Sequence, residues 1–360
     1  MIKMPKVSIN KLTVDDIPEI NASDTLHLID FRATGETLEH EIPSMFLYEN
    51  LSQWLISSNP RRKYGKYVIN SPELLRDDVR EDNFIVALPG KKASISLIDR
   101  LEKPVAGVNK VWAAIPHPAI DNYCKRHNLA LNYCYTDYLR YNDKLAQKEI
   151  LRELSPEFFV ITPENFENVV KRKRGYIKAA RGAGGFSVLN LKTDVREIVN
   201  RRHEITSGGV KWYYEVKARG VPHSMQICKH GSEYTLYGFS EQYMDGTHFV
   251  GAKVLDIKAV MEDRLYNFVA ETCRRIDSLI HSYTGFFGID LMISKDSLDV
   301  LECNIRLTAA TLPTLLANAI GIYRYVEYFE EVPLLSVDTA DTVLVRSEYM
   351  GNAIIIRPYR

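Results

Sequence analysis

The 360-residue chain lacks the short motifs that define several common enzyme and metal-binding classes. Its five cysteines include no C-x-x-C pair, and its nine histidines form neither H-x-x-x-H nor H-E-x-x-H, so the sequence predicts no zinc site of the usual spacing. A G-x-S-x-G segment is also missing, which argues against a serine hydrolase. Because the cysteines are odd in number and unpaired in spacing, we expect reduced thiols in a cytoplasmic protein.

Long apolar runs and an excess of charge of either sign are absent as well. No segment approaches the roughly 18 apolar residues of a membrane span, and Pro5, Asp15 and Asp16 stand where a signal peptide would have its apolar core. Lys and Arg number 46 and Asp and Glu number 46, so the net charge is zero, which argues against binding to a nucleic-acid backbone. The composition is that of a globular protein, and the length allows two or three domains.

The sequence does contain two apolar runs, 285–293 and 298–306, that are predicted to pair as a β-hairpin. Period-two alternation sets polar residues of the two runs on one face: Asp290, Glu302, Asn304 and Arg306. Two carboxylates and an amide oxygen suit Mg²⁺, which prefers oxygen ligands, and an arginine beside them could bind an anion. An exposed hairpin face with solvated charges is the alternative interpretation.

A second candidate is the segment 176–188, in which a predicted strand carries Lys178 into a glycine-rich turn and another strand follows. Small residues let backbone N–H groups approach phosphate oxygens closely, and the lysine supplies a point charge. Lys178 precedes the glycines, so the segment is not the G-x-x-x-x-G-K-[ST] phosphate loop. A structural hairpin with a glycine-rich tip is the alternative here.

Together these segments make residues 142–321, about half of the chain, resemble the ATP-grasp superfamily. The order of the elements carries the resemblance. A lysine opens an amphipathic helix at 142–145, the Lys178 strand and its glycines follow, a strand and hinge come at 212–218, and the acidic hairpin comes last. Each element alone is a weak signal, whereas their order and the spacing from Asp290 to Glu302 make the joint match specific.

The resemblance implies a role for each of these residues. It implies that the phosphates of ATP are held by Lys144, Lys178, Gly182, Gly184 and Gly185. It implies that adenine binds to the backbone of Glu215, Val216, Lys217 and Ala218, and that ribose or phosphate contacts come from His223 and Gln242. It implies two Mg²⁺ ions, for which Mn²⁺ could substitute, on Asp290, Glu302 and Asn304. The catalytic roles fall to Arg306, on the acceptor carboxylate, and to Lys178.

The expected fold is a multidomain chain of α/β and α+β character, with a parallel α/β domain followed by a two-lobed ATP-grasp domain. We place an N-terminal pre-ATP-grasp domain at 1–135, a lobe with the glycine-rich loop at 136–215, a lobe with the metal site at 216–330, and closing strands at 331–360. Within these, strands are predicted at 26–31, 67–69, 84–88, 105–108, 342–346 and 353–357, and helices at 44–56, 119–127 and 323–330.

The residue four positions after Arg306 helps to choose between reactions. Biotin carboxylases share the E-x-N-x-R ending and carry a glutamate base at that position, whereas this chain has Ala310, which cannot take a proton. We therefore expect a ligase that activates a carboxylate as an acyl phosphate and joins it to an amine, with release of ADP and phosphate. The segments 220–226 and 240–244 are most similar to those of peptide and amino-acid ligases.

The expected partners are a small-molecule carboxylate and a small-molecule amine, with no nucleic acid and no membrane. The sequence leaves open a homodimer and an acceptor bound to a carrier protein. It also leaves open two other activities on the same fold. One is a phosphotransferase that releases a phosphorylated product, and the other is a nucleotide-binding regulatory module without turnover.

Overall fold

The computed structural model describes residues 5–12, 16, 25–29, 66–69, 107–113, 118–181, 187–320, 326–329, 342–347 and 352–356. The helix expected at 44–56, the strand expected at 84–88 and the glycines of 182–185 lie outside the described residues. None of the helices in the described ranges is long and apolar enough to span a bilayer.

A parallel sheet forms in the N-terminal region. The elements there are β1 (Lys6–Ile9), β2 (Thr25–Ile29), β3 (Lys66–Ile69), β4 (Lys110–Ala113), α1 (Pro118–His127) and β5 (Ala130–Leu131). Strands β2 to β5 pair in parallel in the order β3-β2-β4-β5, which confirms the expected parallel α/β layer. In the strand expected at 105–108, Gly107 lies in a turn with a φ of +73°, residue 108 belongs to no strand, and residues 105 and 106 lie outside the described residues; β4 begins at Lys110.

A smaller antiparallel sheet follows. Its region contains α2 (Tyr135–Tyr141), α3 (Lys144–Ile150), a 3₁₀ turn (Arg152–Leu154), β6 (Phe158–Val160), α4 (Phe166–Lys171), β7 (Tyr176–Ala179), β8 (Val188–Asn190), α5 (Val195–Asn200), α6 (Arg202–Ser207) and β9 (Trp212–Glu215). The strand order is β6-β9-β7-β8. One face buries Ile177, Trp212 and Tyr214 against Phe166 and Ile198 of the helices. Alternation leaves the opposite face, with Lys178 and Glu215, turned toward α3.

The remaining strands form one nine-stranded sheet. Its elements are β10 (Val221–His230), β11 (Glu233–Asp245), β12 (His248–Leu255), α7 (Ile257–Val260), α8 (Asp263–Ile280), β13 (Gly285–Ile293), β14 (Leu298–Asn304), α9 (Thr311–Ile320), β15 (Val326–Phe329), β16 (Thr342–Ser347) and β17 (Asn352–Ile356). The order is β14-β13-β10-β11-β12-β15-β17-β16, with β1 parallel to β11. The acidic hairpin and both closing strands are therefore confirmed.

The helix expected at 323–330 is wrong over residues 326–329, which form β15. This strand pairs antiparallel with β12 on one side and with β17 on the other. Val326, Tyr328 and Phe329 are β-branched or aromatic residues that favour a strand, and pairing on both sides satisfies the backbone. Tertiary pairing therefore outweighs the weak helical pattern of this short segment.

Helix α8 covers one face of the large sheet. Met225, Ile289 and Cys303 of three neighbouring strands pack with Val269 and Ile276 of the helix in one core. Burial raises the pKa of the Cys303 thiol well above its usual value, so this cysteine is a packing residue, as the alternation predicts. Because neighbouring side chains alternate, the polar residues of these strands lie on the other face of the sheet.

A buried lysine fixes the turn after β10. Lys229 is 1% exposed, and its Nζ donates hydrogen bonds to the carbonyl oxygens of Gly231 at 2.7 Å, Tyr283 at 3.1 Å and His281 at 3.3 Å. The ammonium group thereby joins the β10–β11 turn to the segment that follows α8. The three carbonyl oxygens supply the hydrogen-bond acceptors that a buried ammonium group requires.

We expect Lys229→Met to lower the free energy of unfolding by about 3 kcal/mol, because three carbonyl groups lose their shared donor. Thermal unfolding followed by circular dichroism measures the change. The matched control is Lys6→Met. The Lys6 side chain is 73% exposed in its pair with Glu233, so this substitution should leave the melting temperature of the protein unchanged. Equal effects of the two substitutions would contradict the structural role of Lys229.

Candidate active site

The polar residues of the acidic hairpin meet on one face of the large sheet. Asp290 and Glu302 are cross-strand partners in β13 and β14. Asn304 Nδ2 donates to Asp290 Oδ2 at 2.8 Å and to Glu302 Oε1 at 3.2 Å. Gln242 of β11 donates from Nε2 to Asp290 Oδ1 at 3.1 Å. The structure therefore brings together four residues that the sequence analysis singled out.

A β-bulge aims Glu302 at this face. Asp290 pairs with Glu302 but Leu291 pairs with Val300, so Leu301 is an extra residue in β14. In a regular strand Val300 and Glu302 would point the same way. The extra residue lets Val300 enter the core, where it is fully buried, while Glu302 faces the polar side. Simple alternation in the sequence cannot reveal this insertion.

The two carboxylates differ in their electrostatic surroundings. Burial and, to a smaller extent, the neighbouring Glu302 raise the pKa of Asp290 to about 7. Burial also opposes ionisation of Glu302, but the ammonium groups of Lys144 and Lys178 and the guanidinium of Arg306 outweigh it and lower the pKa of Glu302 to about 2. Without a further cation, Asp290 therefore loses its proton only near neutral pH, whereas Glu302 is ionised throughout this range.

Helix α3 carries Lys144 to the acidic pair. Asp143 caps the helix by accepting from Leu145 N at 2.9 Å and Ala146 N at 3.1 Å. Lys144 Nζ lies 2.7 Å from Glu302 Oε2, and the Lys144 backbone N–H donates to Ala180 O at 2.8 Å. The first lysine of the resemblance thus contacts both the acidic hairpin and the strand that ends at Ala179.

Two further residues of α3, which the sequence analysis did not single out, hold the edge of the large sheet. Gln147 Nε2 donates to Cys303 O at 2.6 Å, and Gln147 Oε1 accepts from Cys303 N at 2.9 Å. Lys148 Nζ donates to Val300 O at 2.9 Å. Both side chains are 2% exposed. The spacing of Lys144, Gln147 and Lys148 at i, i+3 and i+4 is the sequence signal for one shared helix face.

A second charged group lies on the small sheet. Lys178 of β7 and Lys148 of α3 both form ion pairs with Glu215 of β9, and Lys148 Nζ lies 2.6 Å from Glu215 Oε2. Burial would raise the pKa of Glu215, but the two lysines together lower it. Burial likewise lowers the pKa of Lys148. Glu215 was expected to act through its backbone, and the structure adds a buried carboxylate that accepts two cations.

The proposed hinge follows directly after β9. Val216 N donates to Glu157 O at 2.9 Å, which holds the start of the hinge against the segment before β6. Lys217 and Ala218 belong to no strand, and within the described residues their backbone groups make no hydrogen bond. Backbone donors and acceptors of this kind can bind the edge of a nucleobase.

The remaining expected site residues are placed differently. Arg306 follows β14, is partly exposed, and lies close enough to lower the pKa of Asp290 and Glu302. His223 does not join the group: it stacks on Phe239 with ring centroids 4.9 Å apart, on the face of the sheet that packs against α8. Its Nδ1 lies 2.9 Å from Val221 O. Gly182, Gly184 and Gly185 lie outside the described residues.

The oxygen donors fit a Mg²⁺ site that is completed by substrate. In the described part of the chain, no cluster of three or more His, Cys, Asp and Glu side chains could hold a metal. The candidate set has two carboxylates and one amide. Mg²⁺ is commonly held by one or two carboxylates together with waters and phosphate oxygens. In the metal-free arrangement, the Asn304 amide N–H and the Lys144 ammonium group lie against the carboxylate oxygens that would bind the cation.

Comparison with protein families and solved structures agrees with the fold expected from the sequence. The family described as ATP-grasp domain matches residues 141–310. This chain carries an ATP-grasp domain. No curated protein matches the sequence. The ATP-grasp match covers the segment from α3 to the acidic hairpin, so the expectation of this fold is confirmed.

Three solved structures resemble the whole fold at low sequence identity. Carboxyaminoimidazole ribonucleotide synthase from Aspergillus clavatus, complexed with ATP, has a TM-score of 0.60 at 13% identity, with 94% of each chain covered. N5-carboxyaminoimidazole synthetase from Staphylococcus aureus, complexed with ADP, has a TM-score of 0.58 at 12% identity, again with 94% of each chain covered. D-alanine–D-alanine ligase from Bacillus anthracis, complexed with ATP, has a TM-score of 0.51 at 14% identity, covering 83% of this chain and 92% of its own.

The raised pKa of Asp290 predicts how pH affects the stability of the metal-free protein. A carboxyl group whose pKa is higher in the folded than in the unfolded state loses its stabilising effect as the pH rises, here from about 4 to about 7. We therefore compare the change in melting temperature that Asp290→Asn causes at two pH values. We expect this change to be more stabilising at pH 8 than at pH 5, by at least roughly 2 °C.

Differential scanning fluorimetry at both pH values measures this difference, and comparing the two proteins cancels the effect of other titrating groups. Excess Mg²⁺ at pH 8 should reduce the difference in melting temperature between Asp290→Asn and the unsubstituted protein. A bound cation offsets the charge of the Asp290 carboxylate, which the substituted protein lacks. The same difference at pH 5 and pH 8 would show that Asp290 does not titrate in this range.

Proposed function

We propose that the protein is an ADP-forming ligase that activates a carboxylate with ATP and joins it to an amine. In this reaction the carboxylate oxygen takes the γ-phosphoryl group, ADP leaves, and the amine nitrogen then displaces phosphate from the acyl carbon. The observation that carries the proposal is the convergence of Lys144, Gln242, Asp290, Glu302 and Asn304 on one face of the large sheet. The ATP-grasp domain and the nucleotide complexes of the structural neighbours support it.

Different groups of the site would bind the phosphates and the adenine of the nucleotide. Lys144, which pairs with Glu302, and Lys178, which pairs with Glu215, would bind phosphate oxygens. The residues 182–185, between β7 and β8 in the sequence, would be a further phosphate contact. The backbone of residues 215–218 would bind adenine. When bound to Asp290, Glu302 and Asn304, Mg²⁺ would offset the negative charge that develops between the phosphates during transfer.

Arg306 is suited to the acceptor. It follows the acidic strand directly, and its guanidinium remains charged at all relevant pH values. A planar fork of donors can hold a carboxylate through two hydrogen bonds and then hold the oxyanion that forms on attack by the amine. Ala310, where biotin carboxylases carry a glutamate base, is 2% exposed and begins the turn into α9, so no acid–base group occupies that position.

The amine and the carboxylate can be found by a screen for ATP-dependent phosphate release, with mass spectrometry of the products. Amino-acid pairs form the core of the panel, since the sequence resembles peptide and amino-acid ligases. Bicarbonate with a range of amines belongs in it too, because two of the structural neighbours are named for carboxyaminoimidazole products. A phosphorylated product that accumulates without an amine would favour a phosphotransferase instead.

Glu302→Gln should reduce Mg²⁺-dependent ADP formation by roughly 100-fold or more while the protein remains folded. The amide keeps the shape of the side chain but loses the charge that a divalent cation and Lys144 both require. ADP release and thermal unfolding should be measured on the same preparations. Glu233→Gln, an exposed glutamate of the same sheet, is the matched control and should leave turnover unchanged. Near-normal turnover in Glu302→Gln would exclude Glu302 as an essential ligand.

ATP consumption should depend on a carboxylic-acid acceptor and should not rise when bicarbonate and biotin are added together. Arg306→Lys should slow turnover by roughly tenfold or more, because a point charge replaces a two-bonded contact. Phosphate release with the best acceptor pair, compared with bicarbonate plus biotin, measures both effects. Robust biotin-dependent turnover would overturn the choice of a carboxylate–amine ligase over a carboxylase.

A further inference from the structure

Glu215 has two lysine partners that differ in exposure and in their other contacts. Lys148 reaches Glu215 from α3 and its side chain is 3% exposed, whereas Lys178 reaches it from β7 and its side chain is 13% exposed. The Glu215 side chain itself is 2% exposed. One buried carboxylate is therefore shared by a fully buried cation, Lys148, and by a more exposed cation, Lys178.

Lys148 is held in place independently of Glu215. Its Nζ also donates to Val300 O in β14, and the adjacent Gln147 is bonded to the backbone N–H and carbonyl of Cys303. These contacts fix the helix and the ammonium group to the edge of the large sheet. Lys178, by contrast, has no such backbone contact from its Nζ among the described residues, and its side chain partner is Glu215.

The charge balance gives these two lysines different tasks. If Lys178 turned toward a nucleotide phosphate without a second cation present, it would leave a buried carboxylate unpaired, which is strongly unfavourable. With Lys148 in place, Glu215 keeps a partner and the departure of Lys178 costs much less. In the nucleotide-free protein one cation would therefore be enough to pair with Glu215, yet two are present.

We propose that Lys148 is a positioning residue that keeps Glu215 paired, so that Lys178 can leave Glu215 and bind a phosphate group of ATP. Glu215 serves as the resting partner of Lys178 in the nucleotide-free protein. The inference rests on the proposed function, because it requires a nucleotide whose phosphates Lys178 contacts. It adds a residue on α3 that affects phosphate binding without touching the nucleotide.

The test compares the affinities of four proteins for a non-hydrolysable ATP analogue and for adenosine by isothermal titration calorimetry. These are the unsubstituted protein, Lys148→Met, the double variant Lys148→Met/Glu215→Gln, and the control Lys125→Met, whose lysine is an exposed residue of α1. Methionine is an unbranched, apolar side chain of similar length. Because Lys178 still neutralises Glu215 in Lys148→Met, this variant should fold, and thermal unfolding checks that it does.

In Lys148→Met, the Kd for the ATP analogue should rise by about tenfold or more, because Lys178 is retained on Glu215. The Kd for adenosine should stay unchanged, since the hinge backbone is not affected. In the double variant the carboxylate is gone, so the Kd for the analogue should return to within about threefold of the unsubstituted protein. The Lys125→Met control should bind both ligands normally.

Three results would overturn the inference. One is an unchanged affinity for the ATP analogue in Lys148→Met. Another is an equal loss of analogue and adenosine affinity, which would mean that Lys148 only supports the fold. The third is a double variant that binds the analogue as weakly as Lys148→Met. An unsubstituted protein that binds no ATP analogue would overturn the proposed function as well, so the two failures can be told apart.

Discussion

The arrangement of the whole site depends on the buried polar face of one short helix. Helix α3 has seven residues, and within one turn it presents an ammonium group to each of two sheets. Lys144 pairs with Glu302 of the large sheet, and Lys148 pairs with Glu215 of the small sheet. Taking these charges out of water is costly, and only the close contacts with opposite charges and backbone carbonyls offset that cost. Charge pairing therefore acts together with apolar packing at this point, where Leu145 of the same helix packs with Phe158 and Tyr213 of the small sheet.

The distribution of charge across the site also follows from this helix. Three ammonium groups and one guanidinium face three carboxylates, and one of those carboxylates, Asp290, is protonated below about pH 7. The site therefore has spare positive charge before any ligand enters. A polyanion can bind to such a surface, and a divalent cation can replace the proton on Asp290. Under the proposed function, the metal and the phosphates of a metal–nucleotide complex would both meet groups whose charge is already arranged for them.

Sequence patterns predicted the parts of this structure that depend on local periodicity. The acidic hairpin, the Lys178 strand, the parallel N-terminal layer and the two closing strands all follow from alternation or apolar runs. The bulge at Leu301 could not be predicted, because it is a one-residue change of register that only the pairing of Val300 with Leu291 reveals. The β15 strand was missed because both of its neighbours in the sheet are distant in the chain.

For the candidate site, the sequence indicated most of the residues that lie together, but not the residues that support them. Lys144, Gln242, Asp290, Glu302 and Asn304 meet as the resemblance implied. Lys148 and Gln147 were overlooked, because polar residues on a helix are normally taken as its solvent-exposed face. His223 was misplaced for the opposite reason: its position after the hinge resembled a ligand contact, but strand parity turns it toward Phe239 and the core.

Gln147 has a consequence beyond the site. Strand β14 ends the order of the large sheet, so among the described strands one side of its backbone has no neighbour in that sheet. Exposed edges of this kind can recruit a strand from another molecule and so begin aggregation. The amide of Gln147 supplies one donor and one acceptor to Cys303, just as a paired strand would, and Lys148 binds the carbonyl of Val300. The same helix that carries Lys144 to the acidic pair thus occupies backbone groups at this edge that a strand of another molecule could otherwise bind.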